Sequence, residues 1–93
     1  MSTLSDEQIE QRLGEVRQWR RAGAEIAREL SFADFATAIA FVNRVAEAAE
    51  AANHHPDILL HGWNKVRLTL STHSQGGLTA ADFELAARID ELA

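Results

Sequence analysis

Cysteine and tyrosine are both missing from this 93-residue chain, Pro56 is its one proline and Lys65 its one lysine. Without cysteine there is no disulfide, no thiolate metal site and no thiol nucleophile. Without tyrosine as well, proton transfer near neutral pH falls to histidine and the carboxylates. Cations are scarce: nine Lys and Arg against fourteen Asp and Glu leave a net charge of -5. That balance is the reverse of the basic patch that phosphate backbones require, so nucleic acid is not an expected partner. No apolar run approaches the roughly 20 residues that cross a bilayer, and residues 1–10 lack the basic and apolar regions of a signal peptide. A membrane is therefore not an expected partner either, and a cytoplasmic location is the expectation.

What is present suits a folded domain. Hydrophobic residues make up 46% of the chain and charged residues 25%, close to the globular average. A single domain over residues 1–93 would bury roughly 60 to 65% of its extended-chain surface, enough for one core and one site.

Ser5 with Gln8 reads as a capping box, and Leu4 with Ile9 as its hydrophobic staple, so a short helix should open there and end near Gly14. Residues 16–20 and 25–30 flank an Ala22-Gly23-Ala24 break and suggest a hairpin. Over residues 31–52, Phe35, Ile39, Val42, Ala46 and Ala49 recur at helical spacing, and Pro56 should stop that helix near Asn53. Val66, Leu68 and Leu70 alternate with Lys65, Arg67 and Thr69, the period of a strand with one face buried. After Gly76-Gly77, Thr79 and Asp82 form a second capping box before a helix carrying Leu85, Ile89 and Leu92. The order implies an α+β fold, a four-stranded antiparallel sheet with three helices packed on one face.

All four histidines, His54, His55, His61 and His73, lie in the stretch between Asn53 and Ser74. Taken singly, a histidine at a helix or strand end is most often only solvated. His54, however, should sit at the C-terminal edge of a helix, whose dipole favours a cation there. Glu50 stands at the i to i+4 spacing where its carboxylate would meet His54. Neighbours at a helix end point about 100 degrees apart, so His54 and His55 should serve different roles. His73 is placed where the strand runs out, with a rigid base and an exposed ring. A zinc site is not expected, because His54 and His55 are adjacent instead of one helical turn apart. Trp63 is expected to pack, and His61 to lie in an exposed loop.

Read as one string, Glu50, three residues, His54-His55-Pro56, six residues, Trp63, nine residues, His73, eight residues and Asp82 resemble the signature of the pterin-4a-carbinolamine dehydratase family. Asn64-Lys65-Val66, the run from Leu70 to His73, Gly77-Leu78-Thr79, Trp19, and Phe32 through Val45 extend the resemblance over nearly the whole chain. The spacing from Pro56 to Trp63 is the longer of two forms. The resemblance implies loss of water from a 4a-hydroxytetrahydropterin with no cofactor and no metal. It implies His54, His55 and His73 as catalytic histidines, and Glu50, Pro56, Thr72 and Asp82 as substrate-binding positions. Asp82 has a structural competitor, its capping role. A homodimer or homotetramer is implied, as is a functional link to an aromatic amino acid hydroxylase. The alternative is a non-catalytic protein-binding or assembly module of the same fold.

Overall fold

Val66, Leu68 and Leu70 are fully buried and their alternating neighbours are not, so the strand that carries them divides an apolar face from a polar one. In the computed structural model, which describes residues 3–93, that strand is β4 (Lys65–Leu70), flanked by β2 (Glu25–Ser31) and β3 (Asp57–His61), with β1 (Arg20–Ala22) on the far side of β2. All three pairings are antiparallel, in the order β1-β2-β4-β3. Register sets the faces: Ile26 lies opposite Leu70, Leu30 opposite Val66, and Ile58 and Leu60 opposite Leu68 and Val66. Against this apolar face lie α1 (Asp6–Leu13), α2 (Phe35–Ala52) and α3 (Ala80–Leu92). They contribute Ile9, then Phe41, Val45 and Ala49, then Phe83, Leu85, Ala86 and Ile89 to one core. A fully buried aliphatic or aromatic side chain of this kind stabilises by about 1.5 to 3 kcal/mol. The expected four-stranded antiparallel sheet with helices on one face is the architecture found.

Several boundaries differ from the sequence expectation, each for a local reason. Residue 31 belongs to β2, where it pairs with Lys65, and α2 starts later because the Asp34 carboxylate accepts from the Thr37 amide at 2.7 Å. Val16 and Trp19 are buried but not in a strand; the Trp19 amide donates to the Val16 carbonyl in a turn. The first strand is therefore only Arg20–Ala22, closed on β2 by a two-residue turn with Gly23 at φ 61°, a conformation natural to glycine. The capping boxes at Ser5 and Thr79 and the helix end at Asn53 stand where the sequence puts them.

One polar cluster interrupts the apolar face and was not foreseen. Arg28 lies opposite Leu68 and so points toward the helices. There Asp90 of α3 accepts from both the Arg28 guanidinium and the Trp19 indole N–H, the latter at 2.9 Å. The pair is mostly shielded, with side-chain exposures of 17% and 27%, so removing one partner strands the other. Asp90→Ala is expected to lower unfolding free energy by about 2 kcal/mol, the cost of an orphaned, partly buried cation and indole donor, as read by urea denaturation with Trp19 fluorescence.

Asp34 makes the stability depend on pH. Hydrogen bonds from the Thr37 hydroxyl and then its amide hold the Asp34 carboxyl below its ordinary value of 3.8. A depressed folded-state value stabilises above the unfolded one and is lost as pH falls through the folded one. An Asp34→Ala variant should melt at a lower temperature than the parent at pH 7, and the gap should narrow as the pH falls through and below the ordinary carboxylate value of 3.8.

Candidate active site

The end of α2 sorts the two adjacent histidines. Asn53 takes a left-handed conformation, φ 51° and ψ 42°, which asparagine tolerates better than most residues. The His54 amide then reaches back to the Ala49 carbonyl at 3.1 Å, the six-to-one bond of a Schellman cap. This turn takes His54 off the helical path, so the expected pairing with Glu50 does not form. Glu50 Oε2 lies instead 2.6 Å from His55 Nε2, and both side chains are well exposed. His54 faces the other way, its Nε2 2.6 Å from Oδ1 of Asp82 on α3.

Asp82 is fully buried. It is the third residue of α3 and it caps that helix, Oδ2 accepting from the Thr79 amide at 2.9 Å. The same oxygen accepts from the Thr72 hydroxyl at 2.8 Å, and Thr72 Oγ1 is 2.8 Å from Thr79 Oγ1. Capping and holding a histidine are thus one arrangement, with one carboxylate oxygen for each job. The helix N-terminus adds positive potential at the carboxylate. Three expected site residues, His54, Thr72 and Asp82, therefore meet from three different parts of the chain.

His73 is not at a strand end as expected. β4 stops at Leu70, and His73 opens a short 3₁₀ helix (His73–Gln75) that closes on Gly76, with the Thr72 amide donating to the Gly77 carbonyl at 3.1 Å. Its ring is exposed, next in sequence to the Thr72 that binds Asp82. Pro56 is half-buried just ahead of β3. His61 is the last residue of β3, not a loop residue, and pairs with Lys65. It lies on the outer face of the sheet, where its Nε2 stands 3.5 Å from Glu29 Oε1, beyond hydrogen-bonding reach. The Arg67 hydrogen bond holds Glu29 below its ordinary value. Trp63, expected to pack, sits in the β3–β4 turn at φ 60° and is 62% exposed.

Between α2 and α3 lies a cavity of about 460 Å³, lined at one end by His54 and Ala81 and along its length by Arg44, Glu47, Glu84 and Arg88. This volume is in the range of small-molecule sites. Of the three expected catalytic histidines, His54 alone lines it within one protomer. The four charged residues were not anticipated. Each shows as a polar position on an amphipathic helix, and no sequence signal indicated that the two polar edges would face each other. Among the described residues no cluster of three His, Asp or Glu is arranged to hold a metal.

This geometry can be set beside known proteins. The family model for pterin 4 alpha carbinolamine dehydratase matches residues 2–92. A Nocardia farcinica protein whose name places it among these dehydratases is 57% identical over 90 residues, spanning 97% of this chain and 94% of the relative. A Roseiflexus castenholzii protein of the same name is 55% identical over 89 residues, spanning 96% and 95%. The crystal structure of a transcriptional coactivator/pterin dehydratase from Brucella melitensis superposes with a TM-score of 0.93 at 31% identity, covering 99% of both chains. A pterin dehydratase-like protein identified as a RuBisCO assembly factor in the alpha-carboxysome superposes less closely. Its TM-score is 0.65 at 28% identity, with 81% of this chain and 86% of the other covered. On the family match and on relatives more than half identical along almost their whole length, this chain belongs to the pterin-4-alpha-carbinolamine dehydratase family.

Proposed function

We propose that the chain catalyses loss of water from 4a-hydroxytetrahydropterin, giving the quinonoid dihydropterin, with His54, His55 and His73 moving the protons. The observation that carries this reading is the meeting of His54, Asp82 and Thr72 at hydrogen-bond distance beside the α2–α3 cavity. In this reaction the bond from C4a to its hydroxyl oxygen breaks. The hydroxyl leaves as water after taking one proton, and the adjacent ring nitrogen gives one up. Protons balance, and neither an oxidant nor a reductant is consumed. Two such transfers suit imidazoles, each worth typically 10² to 10⁴-fold as a general acid or base. His54 and His73 are the acid candidates. His55, with Glu50 held on its Nε2, is the group that would bind the pterin and help to take the nitrogen's proton. Pro56 is proposed to hold the backbone there, and no metal or organic cofactor is required by the chemistry.

The cellular role we infer is recycling of tetrahydrobiopterin in the cytoplasm, downstream of an aromatic amino acid hydroxylase that makes the carbinolamine. This reading is favoured over the assembly-module reading, which the carboxysome relative suggests, because the relatives more than half identical are named as dehydratases and the carboxysome protein superposes less closely than the Brucella melitensis one. We also infer self-association. β3 is an edge strand, and Ile58 and Leu59 on it are 38% and 50% exposed, an unpaired apolar edge that a second copy could cover.

Two measurements check these readings. With carbinolamine generated by a pterin-dependent hydroxylase and its dehydration followed spectroscopically, a His54→Ala, His73→Ala double variant should be slower than the parent by at least about tenfold. Equal rates would leave only a binding role. Sedimentation velocity at micromolar concentration should show a dimer or larger, shifted toward monomer by Leu59→Lys, and a parent that sediments as a monomer would contradict the edge-pairing reading.

A further inference from the structure

Thr79 is fully buried, and the direction of every proton between it and His54 can be worked out. An ionised carboxylate only accepts hydrogen bonds, so Thr72 spends its single hydroxyl proton on Asp82 Oδ2. That leaves Thr72 Oγ1 with lone pairs toward Thr79, and at 2.8 Å Thr79 must be the donor. The Thr79 amide donates to Oδ2 as well. Oδ1 is left for His54, and a ring nitrogen 2.6 Å from it must carry a hydrogen, because two facing lone pairs would repel. Nε2 of His54 is therefore an N–H. In a neutral imidazole the other nitrogen, Nδ1, then holds the lone pair. Nδ1 has no hydrogen-bond partner among the described residues, nor is it sealed from solvent; the one buried side-chain polar atom there without a partner is His61 Nε2.

Resting on the dehydratase reading above, we propose that Thr79 and Thr72 are positioning residues. They hold Asp82 in the one orientation that locks His54 as its Nε2–H tautomer, and His54 exchanges protons with the pterin through Nδ1. As an acid, His54 acts from its imidazolium form, giving the Nδ1 proton to the departing hydroxyl while Nε2–H stays on Asp82. The ring is left as the neutral Nε2–H tautomer, and Nδ1 takes a proton back from solvent before the next turnover. Thr72, expected from the family resemblance to bind substrate, has its hydroxyl hydrogen committed to Asp82, so it serves the histidine instead. Thr79 matters because its donated hydrogen bond fixes the Thr72 rotor. Without it the Thr72 hydroxyl can turn away, and Oδ2 keeps only the helix-end amide.

The test is long-range proton–nitrogen correlation NMR on protein labelled with nitrogen-15 in histidine, without substrate, at about pH 8.5, where an ordinary imidazole is neutral. The parent should show His54 protonated at Nε2 with a pyridine-type Nδ1. Thr72→Val and Thr79→Val should lose that single tautomer for a mixture, and Thr79→Ser should restore it. In turnover, the two valine variants should lose about tenfold in kcat with KM within about twofold, and Thr79→Ser should recover it. His54 protonated at Nδ1 in the parent, or a tautomer unmoved in Thr72→Val, would overturn the proposal. Circular dichroism reports whether Thr79→Val folds, and if it does not, Thr72→Val and Thr79→Ser decide the outcome. Because the NMR signature needs no pterin, the two ideas separate. The expected tautomer in a protein that does not dehydrate the carbinolamine sinks only the function, and rapid dehydration with the opposite tautomer sinks only this inference.

Discussion

A carboxylate sealed inside the protein sets the terms for the rest of this site. Removing such a group from water costs several kcal/mol unless donors surround it, and Asp82 has none of its surface exposed. Its donors are the Thr79 amide, the Thr72 hydroxyl and the His54 ring. One comes from the start of α3, one from the segment after β4 and one from the segment after α2. Satisfying a single buried charge therefore ties together the three pieces of chain that carry the signature. The site and the local fold are stabilised by the same hydrogen bonds, which is why a cap and a histidine partner need not be competing explanations for Asp82.

Asn53 decides what each of two neighbouring imidazoles does. Had the helix continued, Glu50 and His54 would have met on its surface, and the interior carboxylate would have had no ring to hold. One left-handed residue instead sends His54 to a shielded partner and His55 to an exposed one, with side-chain exposures of 16% and 57%. Two chemically identical groups thereby acquire different surroundings, which is the usual way a protein gives like side chains unlike duties.

Much of this was legible in the residue order. Alternation in β4, the two capping boxes and the stop imposed by Asn53 and Pro56 are local signals, and local geometry realised them. The family signature named His54, Thr72 and Asp82 before any contact among them was known. What was missed depends on contacts between distant residues. Arg28 looks like a surface cation until register turns it toward Asp90. Glu50 looks like a partner for His54 until the left-handed turn intervenes. His61 and Trp63 depart from their expected surroundings because β3 extends to the very edge of a tight turn, placing the first half-shielded on the sheet's outer face and exposing the second. The Thr79 hydroxyl reads as a helix cap, and its bond to Thr72 spans a loop that no periodicity describes.

The order β1-β2-β4-β3 has one more consequence, for synthesis. Of the two interior strands β4 is the later to be made, and both of its neighbours, β2 and β3, precede it in the chain. A nascent chain that stops short of it has a three-residue hairpin arm, an amphipathic helix and an isolated apolar segment in β3, none of which can pair with another to close the sheet. Until translation passes β4, the cell is handling exposed strand edges of the kind that chaperones bind.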